Sequence, residues 1–248
     1  MPLTEYTSID IEKYKFKLLD TGVSKVTVNI RYRSVNTLFN FAIKHNIIEN
    51  TPFRATRQFK IPKQSPQFLT IEQFNKLLNI VVEDNLRDIF TFAVLTGMRL
   101  NEISNLRWES IEWKSNIIHI LNTEEFVTKN SKERTVPMHQ VVVEMLQRRY
   151  KRFGNSKWVF CKSTLYKYSG SYISHKFRHY CEVMGYPKKY HFHTLRHTFA
   201  SWLVAQNVNI YTVMELLGHS NVTTTQIYAH LQKSQLQNSV NQLKLLEE

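Results

Sequence analysis

Cysteines and long apolar runs are scarce in this chain of 248 residues. Its two cysteines, Cys161 and Cys181, do not amount to a disulfide framework, and such sparse use is typical of the cell interior, so we expect a cytoplasmic protein. No apolar run approaches the ~20 residues that a membrane-spanning helix needs, and the N-terminus lacks a charged-then-apolar signal pattern. We therefore expect no membrane association.

Motifs for nucleotide and metal chemistry are also missing. The sequence contains neither a P-loop nor a pair of carboxylates at catalytic spacing. A zinc site is the alternative, with His179, Cys181, His191 and His193 as candidate ligands, but these four are not joined to one another by a CxxC or HxxxH spacing. We predict that the protein uses no metal and no cofactor.

Basic side chains, by contrast, are abundant. The chain carries 33 lysines and arginines against 20 acidic residues, a formal charge of +13. This excess favours a polyanionic partner, although charge alone does not separate DNA from RNA or an anionic membrane, and a solvated basic surface is the simpler alternative. Residues 1–68 hold 11 basic and 5 acidic side chains, so the excess is densest there. With 42% hydrophobic residues the chain can still bury a core.

Three segments contain the residue types needed to attack a DNA phosphate without a metal. Arg99 lies in TGMRLNEISNLRW, His193 and Arg196 lie in HTLRH, and Tyr228 follows His219 by nine residues in LGHSNVTTTQIY. A tyrosine hydroxyl is only about one part in a thousand ionised at pH 7, so it needs help to act as a nucleophile. Arginines present a fork of charged donors that matches two phosphate oxygens, and histidines move protons near neutral pH.

These motifs resemble the tyrosine recombinases, the phage-integrase family of site-specific recombinases. The resemblance includes residues 96–108, 128–137 and 193–200, the segment LLGHS and the tyrosine segment, and it covers most of residues 69–232. Each member of the family's signature has a counterpart here, in the order Arg99, Lys129, His193, Arg196, His219 and Tyr228. The resemblance implies an enzyme that breaks and rejoins double-stranded DNA at recombination sites.

The resemblance also implies a role for each signature residue. Tyr228 would attack the phosphate to give a 3′-phosphotyrosine, which a free 5′ hydroxyl of a partner strand would then reverse. Arg99, Arg196 and His219 would bind the non-bridging oxygens. His193 would be the general base and Lys129 the general acid, with Lys132 in the same turn as the rival for that role.

Two neighbours of the signature residues have supporting roles in this interpretation. Glu102, three residues after Arg99, is expected to hold the guanidinium in place. His197 lies farther round the same helix than His193, and we interpret it as structural or as a contact to the DNA backbone.

The predicted fold class is mainly α with a small three-stranded antiparallel sheet, in two domains. We predict a short helical core-binding domain over residues 1–53, a basic linker over 54–68, a catalytic domain over 69–232 and a helical tail over 233–248. Core-binding domains of the family usually contain four or more helices, so we expect either an unusually short domain or a chain that begins inside a longer one. The tail is predicted either to exchange with a neighbouring subunit or to dock on its own domain.

Periodicity and turn residues give the predicted elements. The strands are expected at 117–121, 126–129 and 135–138. The helices are expected at 9–20, 24–46, 70–82, 85–96, from about 99, 139–152, 171–184, 193–206, 209–217 and 222–232. Tyr228 would then lie on a polar, threonine-rich helix, where a buried tyrosine is less expected.

The second predicted helix has an apolar side and a polar side. We expect its apolar side to pack on the core, through Ile30, Leu38, Phe39, Phe41 and Ala42. Its polar side, which includes Asn40, faces DNA or solvent. The predicted DNA contacts are Arg33, Asn36, Lys44, Lys132 and Arg134.

Two other functions compete with recombination. A type IB topoisomerase shares the chemistry but would act alone on DNA. A non-catalytic DNA-binding regulator would tolerate changes at Tyr228. A recombinase is expected to be a monomer when free and to assemble as a homotetramer on its DNA sites.

Overall fold

The computed structural model describes residues 1–62, 65–122, 133–164 and 166–235, with side chains up to residue 231. Over this part of the chain the α-helices are α1 Ser8–Asp20, α2 Lys25–Lys44, α3 Ile71–Ile80, α4 Asp84–Thr96, α5 Leu100–Ser104, α6 Gln140–Phe153, α7 Gly170–Val183, α8 His193–Ala205 and α9 Ile210–Leu217. Short 3₁₀ helices cover Leu3–Glu5, Pro52–Ala55, Trp108–Ser110, Val222–Thr224 and Gln226–Gln235. No helix in the described ranges is long and apolar enough to cross a membrane.

The strands form one antiparallel sheet in the order β1 (Ile111–Glu112), β2 (Ile117–Ile120) and β3 (Arg134–Pro137). Ile118 pairs with Val136 in the centre, and both side chains are buried. The prediction of a mainly helical fold with a three-stranded antiparallel sheet is confirmed. The strand β1 was missed because two residues give no alternating pattern, and the predicted strand at 126–129 lies outside the described residues.

Backbone contacts divide the chain into two compact units, residues 1–64 and 65–248. The larger unit has a core built around α4, which packs against α8. Phe90 and Phe92 of α4 are fully buried and meet Phe177 and Phe160 edge to face, with ring centres 5.2 and 5.0 Å apart. This core fixes the C-terminal end of α4, from which the next loop leads to Arg99.

The smaller unit is built from α1, α2 and the 3₁₀ helix Pro52–Ala55. Its apolar core contains Ile11, Tyr32, Phe39, Ala42 and Phe53. The predicted apolar side of α2 is only half right, because Ile30, Leu38 and Phe41 are each about half exposed. The buried apolar residues of α2 form a single stripe, at Val28, Tyr32, Phe39 and Ala42, and the neighbouring stripe stays open to solvent.

The segment predicted as an extended linker over 54–68 is partly folded onto the smaller unit. The side-chain amide of Asn29 donates to the Phe59 carbonyl and its oxygen accepts from the Phe59 N–H, both at 2.9 Å. The Tyr32 hydroxyl contacts Thr56. Residues 54–59 therefore belong to this unit, because backbone groups of Thr56 and Phe59 are bonded by buried side chains of α2 and the Arg57 carbonyl by Lys15 of α1.

Candidate active site

The candidate site in the larger unit is organised by two left-handed glycines. Gly97 ends α4 with φ +63° and Gly218 ends α9 with φ +64°. Such a backbone favours glycine, and it turns the chain sharply at each helix end. The carbonyls at these two turns accept hydrogen bonds from Arg99 and Arg196, and His219 directly follows Gly218, so the three predicted phosphate ligands lie together.

Arg196 is the most deeply buried of these groups, at 2% exposure. Its Nη1 donates to the Gly97 carbonyl at 2.8 Å, and its Nη2 donates to the Leu217 carbonyl at 2.5 Å. Burial and the positive charge of Arg99 lower the pKa of Arg196 to about 9. The guanidinium therefore stays charged at pH 7 while its orientation is fixed by backbone from two different helices.

Arg99 precedes α5, and both its backbone N–H and its guanidinium donate to the carboxylate of Glu102. Its backbone N–H donates to Glu102 Oε2 at 2.8 Å, and its Nη1 donates to Oε1 at 2.9 Å. Its Nη2 reaches the Gly218 carbonyl at 3.4 Å. The predicted contact between Glu102 and Arg99 is present, and consecutive carbonyls at 217 and 218 hold the two arginines side by side.

Glu102 is 3% exposed and is shared between two arginines. Arg134, the first residue of β3, donates to its oxygens at 2.9 and 2.7 Å. Burial raises the pKa of Glu102, but the hydrogen bonds and charge of Arg134 and Arg99 outweigh it, and the net shift is downward. Arg134 thus supplies a second cation to the buried carboxylate, and the predicted contact of Arg134 with DNA stays a prediction.

Three histidines, His193, His197 and His219, lie close enough to Arg196 to be influenced by its charge. His193 opens α8, and its ring meets that of His197 edge to face at 4.9 Å. Partial enclosure of its ring and the nearby charge of His197 lower the pKa of His193 to about 3, and water at the exposed part of the residue moderates this shift. Burial and Arg196 lower the pKa of His219 to about 4, and its Nδ1 contacts Thr225 Oγ1 at 2.8 Å. Both rings are neutral at pH 7.

Tyr228 departs most from expectation. It lies on the 3₁₀ helix Gln226–Gln235 rather than on an α-helix, and it is 1% exposed. Its ring packs among apolar side chains of α8 and α9, which are Ala200, Val204, Val213 and Leu217. Burial raises the pKa of Tyr228 to about 12, against a smaller lowering by Arg196. A polar sequence around a tyrosine does not reveal burial when the covering side chains come from other helices.

The residue that touches the Tyr228 hydroxyl is His197, with Nδ1 and Oη 2.5 Å apart. Sequence reasoning missed this contact, and the signal for it is the second histidine of HTLRH. Lys129 and Lys132 lie outside the described residues. Arg33 and Lys44 of α2 are exposed and Asn36 is half-buried, so their contacts to DNA stay predictions. No group of three or more potential metal ligands occurs in the described ranges.

Comparison with known proteins decides the family. The model of the phage integrase family matches residues 67–235. The chain belongs to the phage integrase family. A tyrosine recombinase of Pseudothermotoga lettingae is 31% identical over 250 residues, which cover 99% of this chain and 85% of that protein. The tyrosine recombinase XerA of Pyrococcus furiosus is 29% identical and covers 97% and 82% of the two chains.

Solved structures show the same fold at lower identity. The Tn1549 transposon integrase, in complex with a circular intermediate DNA, has a TM-score of 0.83 and 22% identity, covering 98% of this chain and 87% of that chain. A lambda integrase dimer bound to a COC′ core site has a TM-score of 0.77 and 21% identity, covering 92% and 81%. The chain is thus a tyrosine recombinase, an enzyme class that cleaves and rejoins DNA, and neither competing function is favoured.

Proposed function

We propose that this recombinase cuts DNA by attack of Tyr228 Oη on a phosphate held by Arg99, Arg196 and His219. The observation that carries the proposal is the pair of guanidinium groups fixed by the consecutive carbonyls of Leu217 and Gly218. A pentacovalent phosphorane gains negative charge on its non-bridging oxygens, and two neighbouring guanidiniums stabilise that charge without a metal ion.

The proton movements follow from the remaining signature residues. The Tyr228 proton passes to His193 as the new O–P bond forms, and Lys129 protonates the 5′ oxygen as the old P–O bond breaks. A bound phosphate anion supports the first transfer, because negative charge beside His193 raises the pKa of the imidazole. The products are a 3′-phosphotyrosine and a 5′ hydroxyl, and a 5′ hydroxyl from a partner strand reverses the step.

The two units have different roles in the reaction. Residues 69–232 carry the chemistry, and the basic face of α2 with Arg33 and Lys44 binds the DNA backbone as a core-binding domain. Rejoining to a partner strand requires two DNA sites in one complex, so we propose a homotetramer on DNA. The segment 233–248 is the candidate for exchange between its subunits.

The nucleophile is tested with a library of nicked suicide duplexes that have a randomised core. Strands that become trapped on the protein in a denaturing gel are sequenced, which gives the preferred site. Tyr228→Phe should abolish the adduct while DNA affinity stays within about twofold, because the lost hydroxyl is the nucleophile and contributes little to binding. The assay is run in EDTA, since the arginines supply the charge that a metal would otherwise supply.

The control is Tyr166→Phe, a change at an exposed tyrosine of the same unit. Its adduct yield should equal that of the unmodified protein. An adduct that survives Tyr228→Phe would move the nucleophile to another residue and refute the assignment.

A further inference from the structure

The Tyr228 hydroxyl is buried and hydrogen-bonds to a side chain of α8. The imidazole of His197 lies 2.5 Å from Oη, and Tyr228 as a whole is 1% exposed. The rest of the ring is enclosed by the apolar cluster of Ala200, Val204, Val213 and Leu217, with Phe199 and Leu231 at its edge. A phosphate therefore cannot reach the hydroxyl while this packing persists.

The protonation states define what this contact does. Burial and the charge of His191 lower the pKa of His197 to about 4, while burial raises that of Tyr228 to about 12. At pH 7 the phenol is protonated and the imidazole is neutral, so Oη donates to Nδ1. The phenol holds its proton far more tightly than His197 would, and the pair as it stands does not generate a phenolate.

We propose that His197 is a positioning residue that holds the Tyr228 hydroxyl in a resting place, and that DNA cleavage requires this hydrogen bond to be given up. The proposal rests on the proposed role of Tyr228 as nucleophile. The hydrogen bond and the apolar packing stabilise the resting place together. The hydrogen bond stabilises the resting state but is absent when Oη attacks phosphorus. A substitution that removes the bond therefore raises the free energy of the resting state and lowers the barrier to cleavage.

Three variants test the proposal in single-turnover cleavage of the preferred suicide duplex at saturating protein. His197→Leu fills the space without an acceptor and should cleave about three- to tenfold faster, as expected for the loss of one ordinary hydrogen bond. His197→Asn places an amide oxygen near the former Nδ1 and should cleave within about twofold of the unmodified protein. His230→Leu is the matched control on the tyrosine segment, where an exposed ring bonds to the Ile227 carbonyl; its rate should not change.

Two outcomes overturn the proposal. If His197→Leu and His197→Asn both cleave more than about tenfold slower, His197 acts during the attack itself. If His197→Leu cleaves at the unmodified rate, the hydrogen bond restrains nothing. The Tyr228→Phe adduct assay separates the two proposals: if Tyr228→Phe still forms the adduct, the assignment of the nucleophile fails, and if it does not, either result refutes the role of His197 alone.

A spectroscopic measurement covers the case in which His197→Leu fails to fold. 3-Fluorotyrosine is introduced at position 228 of the chain that retains His197, and its ¹⁹F resonance is followed as uncut duplex is added. DNA should move the resonance away from its resting position, because the hydroxyl leaves Nδ1. A resonance that stays in place, in a complex that goes on to form the adduct, contradicts the proposal.

Discussion

Arg134 shows how a residue outside the signature can control the catalytic arginines. Its two terminal nitrogens bind Glu102, which in turn holds Arg99, and its Nε reaches the Leu216 carbonyl at 3.4 Å. The side chain therefore joins the strand β3 to α9 directly and to Arg99 through Glu102. If a buried carboxylate loses one of its two cationic partners, part of its negative charge is no longer neutralised. The remaining cation then moves toward the carboxylate.

We predict that Arg134→Met slows single-turnover cleavage at least about tenfold and lowers the free energy of unfolding by about 1 to 3 kcal/mol. Arg134→Lys keeps the charge without the bidentate contact and should fall between Arg134→Met and the unmodified protein. Cleavage rates and urea unfolding measure the two effects.

The control is Arg178→Met, which breaks an exposed pair with Glu182 and should change neither quantity appreciably. Normal cleavage by Arg134→Met would show that Glu102 positions Arg99 without Arg134.

At the scale of elements, the site depends on how α4 and α9 end. Gly218 adopts φ +64°, and a Cβ added there would lie 2.6 Å from Cδ of Arg134. Gly185 adopts a similar φ of +67°, but its added Cβ would meet nothing within 4 Å. Substitutions at these two glycines therefore separate two effects. Both strain the backbone, but only a Cβ at position 218 collides with Arg134.

We predict that Gly185→Ala costs about 1 kcal/mol of stability through strain alone and leaves cleavage unchanged. Gly218→Ala adds the collision, displaces Arg134 and moves the carbonyl that Arg99 binds. Its cleavage rate should fall at least about tenfold, at a stability cost larger than that of Gly185→Ala. Equal cleavage by the two variants would disprove the link between this turn and the arginines.

Elements with strong local signals could be predicted from the sequence. The capping box of Thr70 and Gln73 begins α3 as expected, and the glycines end α4 and α9. Local signals do not predict features that depend on contacts with distant segments of the chain. The segment at 222–232 is 3₁₀ rather than α, and the burial of Tyr228 depends on α8 and α9. The contact between Arg134 and Glu102 joins residues 32 positions apart, beyond any helical or strand periodicity.

For the whole molecule, the recombinase carries a surplus of positive charge and a group of histidines that resist protonation. Burial with the charge of His191 holds the pKa of His197 near 4, and burial with the charge of Arg196 holds that of His219 near 4. In the unfolded chain a histidine has a pKa near 6.5. Between these values the unfolded state binds more protons than the folded state, so the linkage favours unfolding as the pH falls.

We predict that the free energy of unfolding decreases by about 2 kcal/mol as the pH falls from 7 to 4.5, through His197 and His219 together and after allowance for partial exposure. Urea unfolding at a series of pH values measures it. The double variant His197→Asn, His219→Asn has no such groups to protonate, so its stability should depend less on pH over the same interval. If the two proteins lose stability in parallel, the pH dependence arises elsewhere in the chain and these two rings are not the groups that take up the protons.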